Sequence, residues 1–179
     1  MRPPVSLQEF REFLNVATTD TAGDEERWGK LLAATRLVES RAGAMEVRSV
    51  TSRVTGYDAL ILPLGPVISI TSITNILAGT TVTLLADSVD VSAGVVTLPY
   101  GGNIKRAYSV VYKIGRVPVG EHLREATMVV GEQLWQSQRT PMMIQPRPGA
   151  STPSGPSRAF AWPNRALQLI EQDLLPGFA

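Results

Sequence analysis

The sequence predicts an α+β protein, in which a small helical bundle carries an inserted antiparallel β-rich block and an extended C-terminal arm ending in a short helix. Three observations predict this. Apolar residues at helical spacing open the chain, a stretch rich in Val, Ile and Thr begins at Met45, and six prolines fall within residues 141–163. Proline at that density disfavours helix and sheet. We therefore expect a body (residues 1–138) followed by an arm (residues 139–179).

The helices of the body are predicted over residues 6–14, 24–42 and 119–138. Ser6 and Glu9 have the Ser-x-x-Glu spacing of a capping box, in which each side chain binds a free backbone N–H of the first turn. Asp24 is placed to cap the second helix, and Gly43 fits the position just beyond its end, where a positive φ is common. The apolar stripe predicted on this helix consists of Trp28, Leu31, Leu32, Thr35, Val38 and Ala42.

The β-rich block is predicted over residues 45–112. Short runs of β-branched residues separated by Gly, Pro and Asn–Asp turns are typical of strands. The candidate strands are Glu46–Val54, Ala59–Leu62, Val67–Leu77, Thr81–Leu85, Val95–Leu98 and Ala107–Tyr112. Their short, even spacing favours a small antiparallel meander or a barrel-like sheet.

The arm combines a proline-rich stretch with a short amphipathic helix predicted over residues 164–174. A helix this short is marginal in water, so we expect Leu167, Ile170 and Leu174 to need an apolar surface elsewhere. Phe160 and Trp162 are large aromatics of the kind that anchor interfaces.

The charge of the arm is one-sided, because Arg139, Arg147, Arg158 and Arg165 occur between residues 139 and 168 without any acidic residue. Two interpretations remain open. The stretch is either a solvated linker or a contact for an acidic protein surface or DNA phosphates.

Composition gives little support for an enzyme. The chain has no cysteine, which excludes disulfides and thiolate zinc sites, and its net charge of +1 excludes a strong basic field. His122 is the only histidine and reads as a solvated residue at a helix start. Asp24, Glu25 and Glu26 complement a helix dipole, whereas Asp87 and Asp90 read as turn residues. We predict no catalytic residue, metal or cofactor. No signal peptide or membrane span is apparent, and we expect synthesis in a cytoplasm.

The order of these features resembles the head-to-tail connector (adaptor) family of long-tailed bacteriophages. The likeness rests on the opening helix, the Asp24–Arg41 helix, the Leu62-Pro63-Leu64-Gly65-Pro66-Val67 entry to a strand, and the Val110–Pro118 approach to the third helix. The chain end, with Pro163–Ile170 and Pro176-Gly177-Phe178, is similar to relatives from phages of actinobacteria. Each motif is weak alone, so the likeness depends on their order.

The resemblance implies a structural virion subunit at the neck, made in the host cytoplasm. Such adaptors form a twelve-fold ring (a dodecamer) around the DNA exit channel, between the portal protein and the next neck protein or tail terminator. Non-specific contact with DNA in the channel fits this position. The residues expected to bind the portal are Arg147, Arg158, Phe160, Trp162, Arg165, Leu167, Ile170 and Leu174. The alternatives are another neck or tail-completion protein (a stopper or tail terminator) and an unrelated small binding module.

Overall fold

A computed structural model of the chain describes residues 2–17, 19–84, 88–99, 104–139 and 161–174. The chain forms two compact units. The helical unit comprises residues 3–38 and 121–172, and the β unit comprises residues 1–2, 39–120 and 173–179. The predicted α+β class is confirmed, with four α-helices and two small antiparallel sheets in the part that is described. The predicted division into a body and an arm stays a prediction.

The helices begin and end close to the predicted positions. They are α1 (Leu7–Phe13), α2 (Asp24–Ala42), α3 (Glu121–Arg139) and α4 (Asn164–Ile170), and a 3-10 turn (Glu171–Asp173) follows α4. The capping box is present, since the Ser6 side chain accepts a hydrogen bond from the Glu9 backbone N–H and the Glu9 carboxylate accepts one from the Ser6 backbone N–H.

The end of α2 is also as predicted, with Gly43 at a φ of +84° just beyond it. A Cβ at Gly43 would lie 2.5 Å from the Gly65 carbonyl oxygen. Glycine is therefore required both by the positive φ and by the lack of space for a side chain. Asp24 does not act as the expected cap, because it is the first residue of the helix and its carboxylate pairs with Arg11 and Arg27.

The stripe predicted on α2 is confirmed at four of its six positions, and Leu32 is only half-buried. Leu31, Thr35, Val38 and Ala42 are buried, whereas Trp28 is 37% exposed. In the helical unit, Val5, Phe10 and Leu31 form an apolar cluster with the partly buried Leu14 and Met128. Packing around α3 is tight, because Gly131 lies where any Cβ would meet the Phe10 ring at 2.9 Å.

The described part of the β unit contains six strands in two three-stranded sheets. They are β1 (Arg48–Gly56), β2 (Ala59–Ile61), β3 (Val67–Asn75), β4 (Val89–Asp90), β5 (Val95–Thr97) and β6 (Arg106–Ile114). The sheets have the strand orders β1-β6-β3 and β2-β5-β4, and all pairs are antiparallel.

This topology differs from the predicted meander, since β6 is the central strand between β1 and β3. The buried residues of β6 explain its place, because Tyr108, Val110, Tyr112 and Ile114 alternate along its inner face. A strand with so apolar a face is most stable with a neighbour on each side.

The strand predicted over Thr81–Leu85 is wrong in the part that is described. Asn75 accepts backbone hydrogen bonds from Leu77 and Ala78 through Oδ1, which turns the chain back toward β3. In the described part, the returning segment pairs with β3 through a Thr74–Thr81 bridge and two backbone hydrogen bonds, from the Asn75 N–H to the Thr80 carbonyl and from the Val82 N–H to the Ile73 carbonyl.

The two sheets contribute to one hydrophobic core inside the β unit. Its fully buried members include Leu60, Ile73, Val96, Val110 and Tyr112. Tyr108 and Tyr112 of β6 are both buried, and Tyr112 is one of the largest side chains that are fully buried.

Candidate interaction surfaces

The terminal helix α4 packs against α3 of its own chain. Ala166 and Ile170 are fully buried, and Arg165 forms an ion pair with Glu125 of α3. The apolar surface that Ile170 is expected to need is therefore supplied by α3 of the same chain, and its buried side chain is not exposed to a partner. The sequence does not indicate this helix–helix contact, because the apolar residues of α3 that contact α4 have the same spacing as residues that face a core.

The other residues predicted to bind a portal differ in their exposure to solvent, and three of them lie outside the described part. Leu167, Leu174 and Trp162 are half-buried, and Arg165 is exposed. Arg147, Arg158 and Phe160 lie outside the described residues. The described part of the predicted set thus comprises one exposed cation, which pairs with Glu125, and three half-buried apolar side chains in addition to the buried Ile170.

Arg116 contacts two segments of the β unit that are far apart in sequence, at Ala42 and at Asp173. Its guanidinium donates to the Ala42 carbonyl at 2.9 Å and to the Asp173 carboxylate at 2.7 Å. The preceding Gly115 has a φ of +128°, and a Cβ there would lie 2.6 Å from the Glu46 carbonyl oxygen. Gly115 and Arg116 belong to the Val110–Pro118 segment that resembles the adaptor family. Their role in this chain is structural, which the sequence alone did not reveal.

A charged cluster lies between α1, α2 and α3 of the helical unit. Arg27 is only 1% exposed, and it binds Asp20 at 3.2 Å and Asp24 at 2.9 Å. Its guanidinium also lies 5.3 Å from the centre of the Trp135 ring, which is a cation–π contact. Asp24 additionally pairs with Arg11. These contacts compensate the burial of a charge and indicate a structural role.

A groove of about 360 Å³ in the helical unit is lined by both acidic and apolar residues. The lining comprises Val5, Glu9, Glu12, Phe13, Glu121, Arg124 and Met128. Arg124 bridges Glu9 and Glu121 across it. Hydrogen bonds from the Ser6 backbone and side chain lower the pKa of Glu9, and the cation of Arg124 adds to that effect. The bond to Glu121 raises the pKa of Arg124, so Glu9 and Arg124 stay charged at neutral pH.

Exposed apolar side chains occur at two ends of the β unit. The Gly56–Arg106 end of the β1-β6-β3 sheet has three of them nearby, namely Tyr57, Ile61 and Ile104. The Arg48–Ile114 end of the same sheet has Val47 and Val117 nearby. The sequence signals for them were ambiguous, because an isolated exposed aliphatic residue looks like a core residue.

Those residues weighed for chemistry that the structure describes do not form a reactive cluster. His122 is half-buried in the first turn of α3. Asp90 is the last residue of β4 and accepts hydrogen bonds from the Ser92 hydroxyl at 2.6 Å and from the Ala93 backbone N–H at 3.0 Å, so its carboxylate stabilises the turn that follows the strand. These bonds lower its pKa, that from the Ser92 side chain most. Asp87 lies outside the described residues.

The described part of the chain lacks two further features. No group of three or more His, Cys, Asp or Glu residues there is placed to hold a metal ion. None of the helices there has the length and apolar character needed to cross a bilayer.

No protein-family model and no curated protein matches the chain. Solved structures do match it. A chain in the neck of an empty gene transfer agent (GTA) particle, computed with C6 symmetry, is 22% identical with a TM-score of 0.61, over 94% of this chain and 88% of that one. A chain in the virion of a native GTA particle is 19% identical with a TM-score of 0.65, over 96% and 89%. At these identities the likeness concerns the fold, which this chain shares with components of GTA particles over nearly its whole length.

Proposed function

We propose that this chain is a structural subunit of the neck of a tailed phage or phage-like particle. In this proposal it forms the ring that joins the portal to the tail around the DNA exit channel. The observation that carries the proposal is the fold shared with a chain of the GTA neck over 94% of the sequence. The resemblance of the ordered sequence motifs to head-to-tail adaptors supports the same assignment independently of the structure.

Ring formation is supported by general features of oligomers. A ring arises when one surface of a subunit binds a different surface of the next copy. The GTA neck was computed with C6 symmetry, and a ring of twelve copies, as in the adaptor family, is compatible with that symmetry. The work of such a ring is mechanical, since it connects partners and surrounds a channel.

The portal contact is assigned to the C-terminal segment. Arg147 and Arg158 contribute cations without a neighbouring acidic residue, and Arg165 and Trp162 of the described part lie beside them in sequence. Because Ile170 is buried against the chain's own helical unit, α4 fixes the far end of this segment. The proline-rich stretch before it, with Phe160, is then the part that reaches the portal. Arginine suits such a contact, since its planar guanidinium binds carboxylates bidentately.

Electron cryomicroscopy of the particle neck tests the assignment. We expect a ring of this chain directly below the portal and above the next neck protein or tail terminator. Density for this chain at the stopper or tail-terminator position would contradict the adaptor assignment, and its absence from the particle would contradict a neck role altogether.

The portal contact has a separate test with purified portal. Truncation after Gln138 is a poor probe, because it removes α4 and exposes the surface of α3. The double variant Arg147→Glu with Arg158→Glu keeps α4, and we expect it to weaken portal binding by about tenfold or more. The matched control, Arg53→Glu with Lys113→Glu, reverses two exposed cations of the β unit and should bind as the unmodified chain does.

A further inference from the structure

The first turns of α2 present an acidic face that also contains an aromatic residue. Glu25 and Glu26 are exposed and form no ion pair or hydrogen bond within the part of the chain that the structure describes. Trp28, one turn on, is 37% exposed. Gly29 adjoins it, and a Cβ at Gly29 would meet no atom within 4 Å. A large aromatic therefore stands beside open space and two uncompensated carboxylates.

One end of the β unit presents a largely apolar groove with basic residues at its edge. The groove has a volume of about 330 Å³, and Tyr57, Asp58, Ile61 and Lys105 are among its lining residues. Tyr57 is 53% exposed and Ile61 is 71% exposed. The exposed Arg106 adjoins the groove, since it pairs in register with Gly56.

The geometry of this groove is fixed by close backbone packing. A Cβ on Gly56 would lie 2.2 Å from the Ala59 carbonyl oxygen, so β1 turns into β2 without room for a side chain. The Asp58 carbonyl also accepts a hydrogen bond from the Leu98 backbone N–H at 2.7 Å. The groove is thus preformed, which lowers the entropic cost of filling it.

The two units differ in net charge. The described residues of the β unit carry eight Arg and Lys against five Asp and Glu, whereas those of the helical unit carry seven against ten. Charge complementarity of this kind favours contact between the helical unit of one molecule and the β unit of another.

We propose that copies of this chain contact one another head to tail, with Trp28 of one copy in the groove beside Tyr57 and Ile61 of the next copy. Glu25 and Glu26 then face Lys105 and Arg106 across the contact. The Asp58 carboxylate supplies an acceptor for the Trp28 indole N–H, which needs one when buried. Trp, Tyr and Arg are the residues enriched where binding energy concentrates. The proposal rests on the proposed function, because it identifies the contact between copies in the ring.

Cysteine cross-linking in assembled particles tests the contact, since the natural chain has no cysteine. We would introduce Glu25→Cys and Lys105→Cys together and treat the particles with a short bismaleimide. A head-to-tail contact predicts a ladder of dimers, trimers and longer products from the double variant, and no product from either single variant. Dimers from a single variant would indicate a two-fold contact and overturn the proposal. Absence of cross-links in particles that contain the double variant would also overturn it.

A charge exchange adds a test that a folding defect cannot imitate. Glu25→Lys with Glu26→Lys should lower incorporation into particles by about tenfold, as should Lys105→Glu with Arg106→Glu. The chain with all four changes should recover incorporation to within about threefold of the unmodified chain. Failure to recover, with all variants folded by circular dichroism, would overturn the proposal.

The controls separate this inference from the proposed function. Lys113→Glu reverses an exposed charge of the β unit near the Arg48–Ile114 end of β1 and β6, away from the groove at the Gly56–Arg106 end, and should leave incorporation unchanged. If the unmodified chain is in the neck but the groove and α2 variants behave like this control, the contact is wrong and the neck assignment stands. If the unmodified chain is absent from the neck, the proposed function is wrong.

Discussion

The two units of this protein are stabilised in different ways. The helical unit contains a buried guanidinium, that of Arg27, and ion pairs that join α1, α2 and α3. The core of the β unit is apolar, formed by residues such as Leu60, Ile73 and Val96. Charged clusters depend on pH and salt, whereas burial of apolar surface depends on neither to the same degree. The helical unit should therefore respond to solution conditions at which the β unit remains folded.

Intrinsic fluorescence can follow the two units separately. The three tryptophans, Trp28, Trp135 and Trp162, all belong to the helical unit, and the four tyrosines all fall within residues 39–120 of the β unit. Tryptophan emission reports unfolding of the helical unit, and hydrogen exchange resolved by residue reports both.

The largest expected effect is in the core of the β unit. Ile73 is fully buried on β3, so Ile73→Ala should lower the free energy of unfolding of the β unit by about 2–5 kcal/mol, through lost burial and a cavity. Ile73→Val should cost only about 0.5–1.5 kcal/mol. Denaturant unfolding followed by hydrogen exchange measures both. An equal shift of the tryptophan transition would show that the two units unfold together. That result would contradict the proposed difference in how the two units are stabilised.

A smaller loss is expected for Arg27→Ala in the helical unit. The variant loses the contacts with Asp20, Asp24 and the Trp135 ring, but Asp24 keeps Arg11 as a partner. We expect the free energy of unfolding to fall by about 2–3 kcal/mol, below the usual range for a broken buried pair. Tryptophan-detected denaturant unfolding measures this loss. Arg36→Ala, at an exposed position of the same helix, should change it by less than about 0.5 kcal/mol.

The smallest effect concerns Glu9 and sharpens the pH contrast. The pKa of Glu9 lies below its ordinary value of 4.5, so its contribution is fully present above that pH and is lost as the pH falls through the lowered value. Glu9→Gln should lower the stability of the helical unit by less than about 1 kcal/mol at pH 7, since solvent screens the pair with Arg124. The difference between the two proteins should shrink below pH 4.5. A constant difference across pH would rule out a role for the charge.

The interaction surfaces were harder to predict than the helices. Trp28 has the spacing of a core residue, yet the structure exposes it, because Leu31 and Ala34 of the same helix already fill the interior. Ile170 shows the reverse, since a residue expected to face a partner is buried within its own chain. Periodicity identifies an apolar stripe, but it does not identify what covers that stripe.

The sequence by itself determined the local structure. The Ser6–Glu9 capping box and Gly43 beyond the end of α2 depend on hydrogen bonds and backbone angles within a few residues. Only the tertiary structure decided that β6 lies between β1 and β3, and that α4 packs against α3. These pairings join segments far apart in the chain, so their free energy depends on which surfaces meet, and residue spacing alone carries no record of the partner.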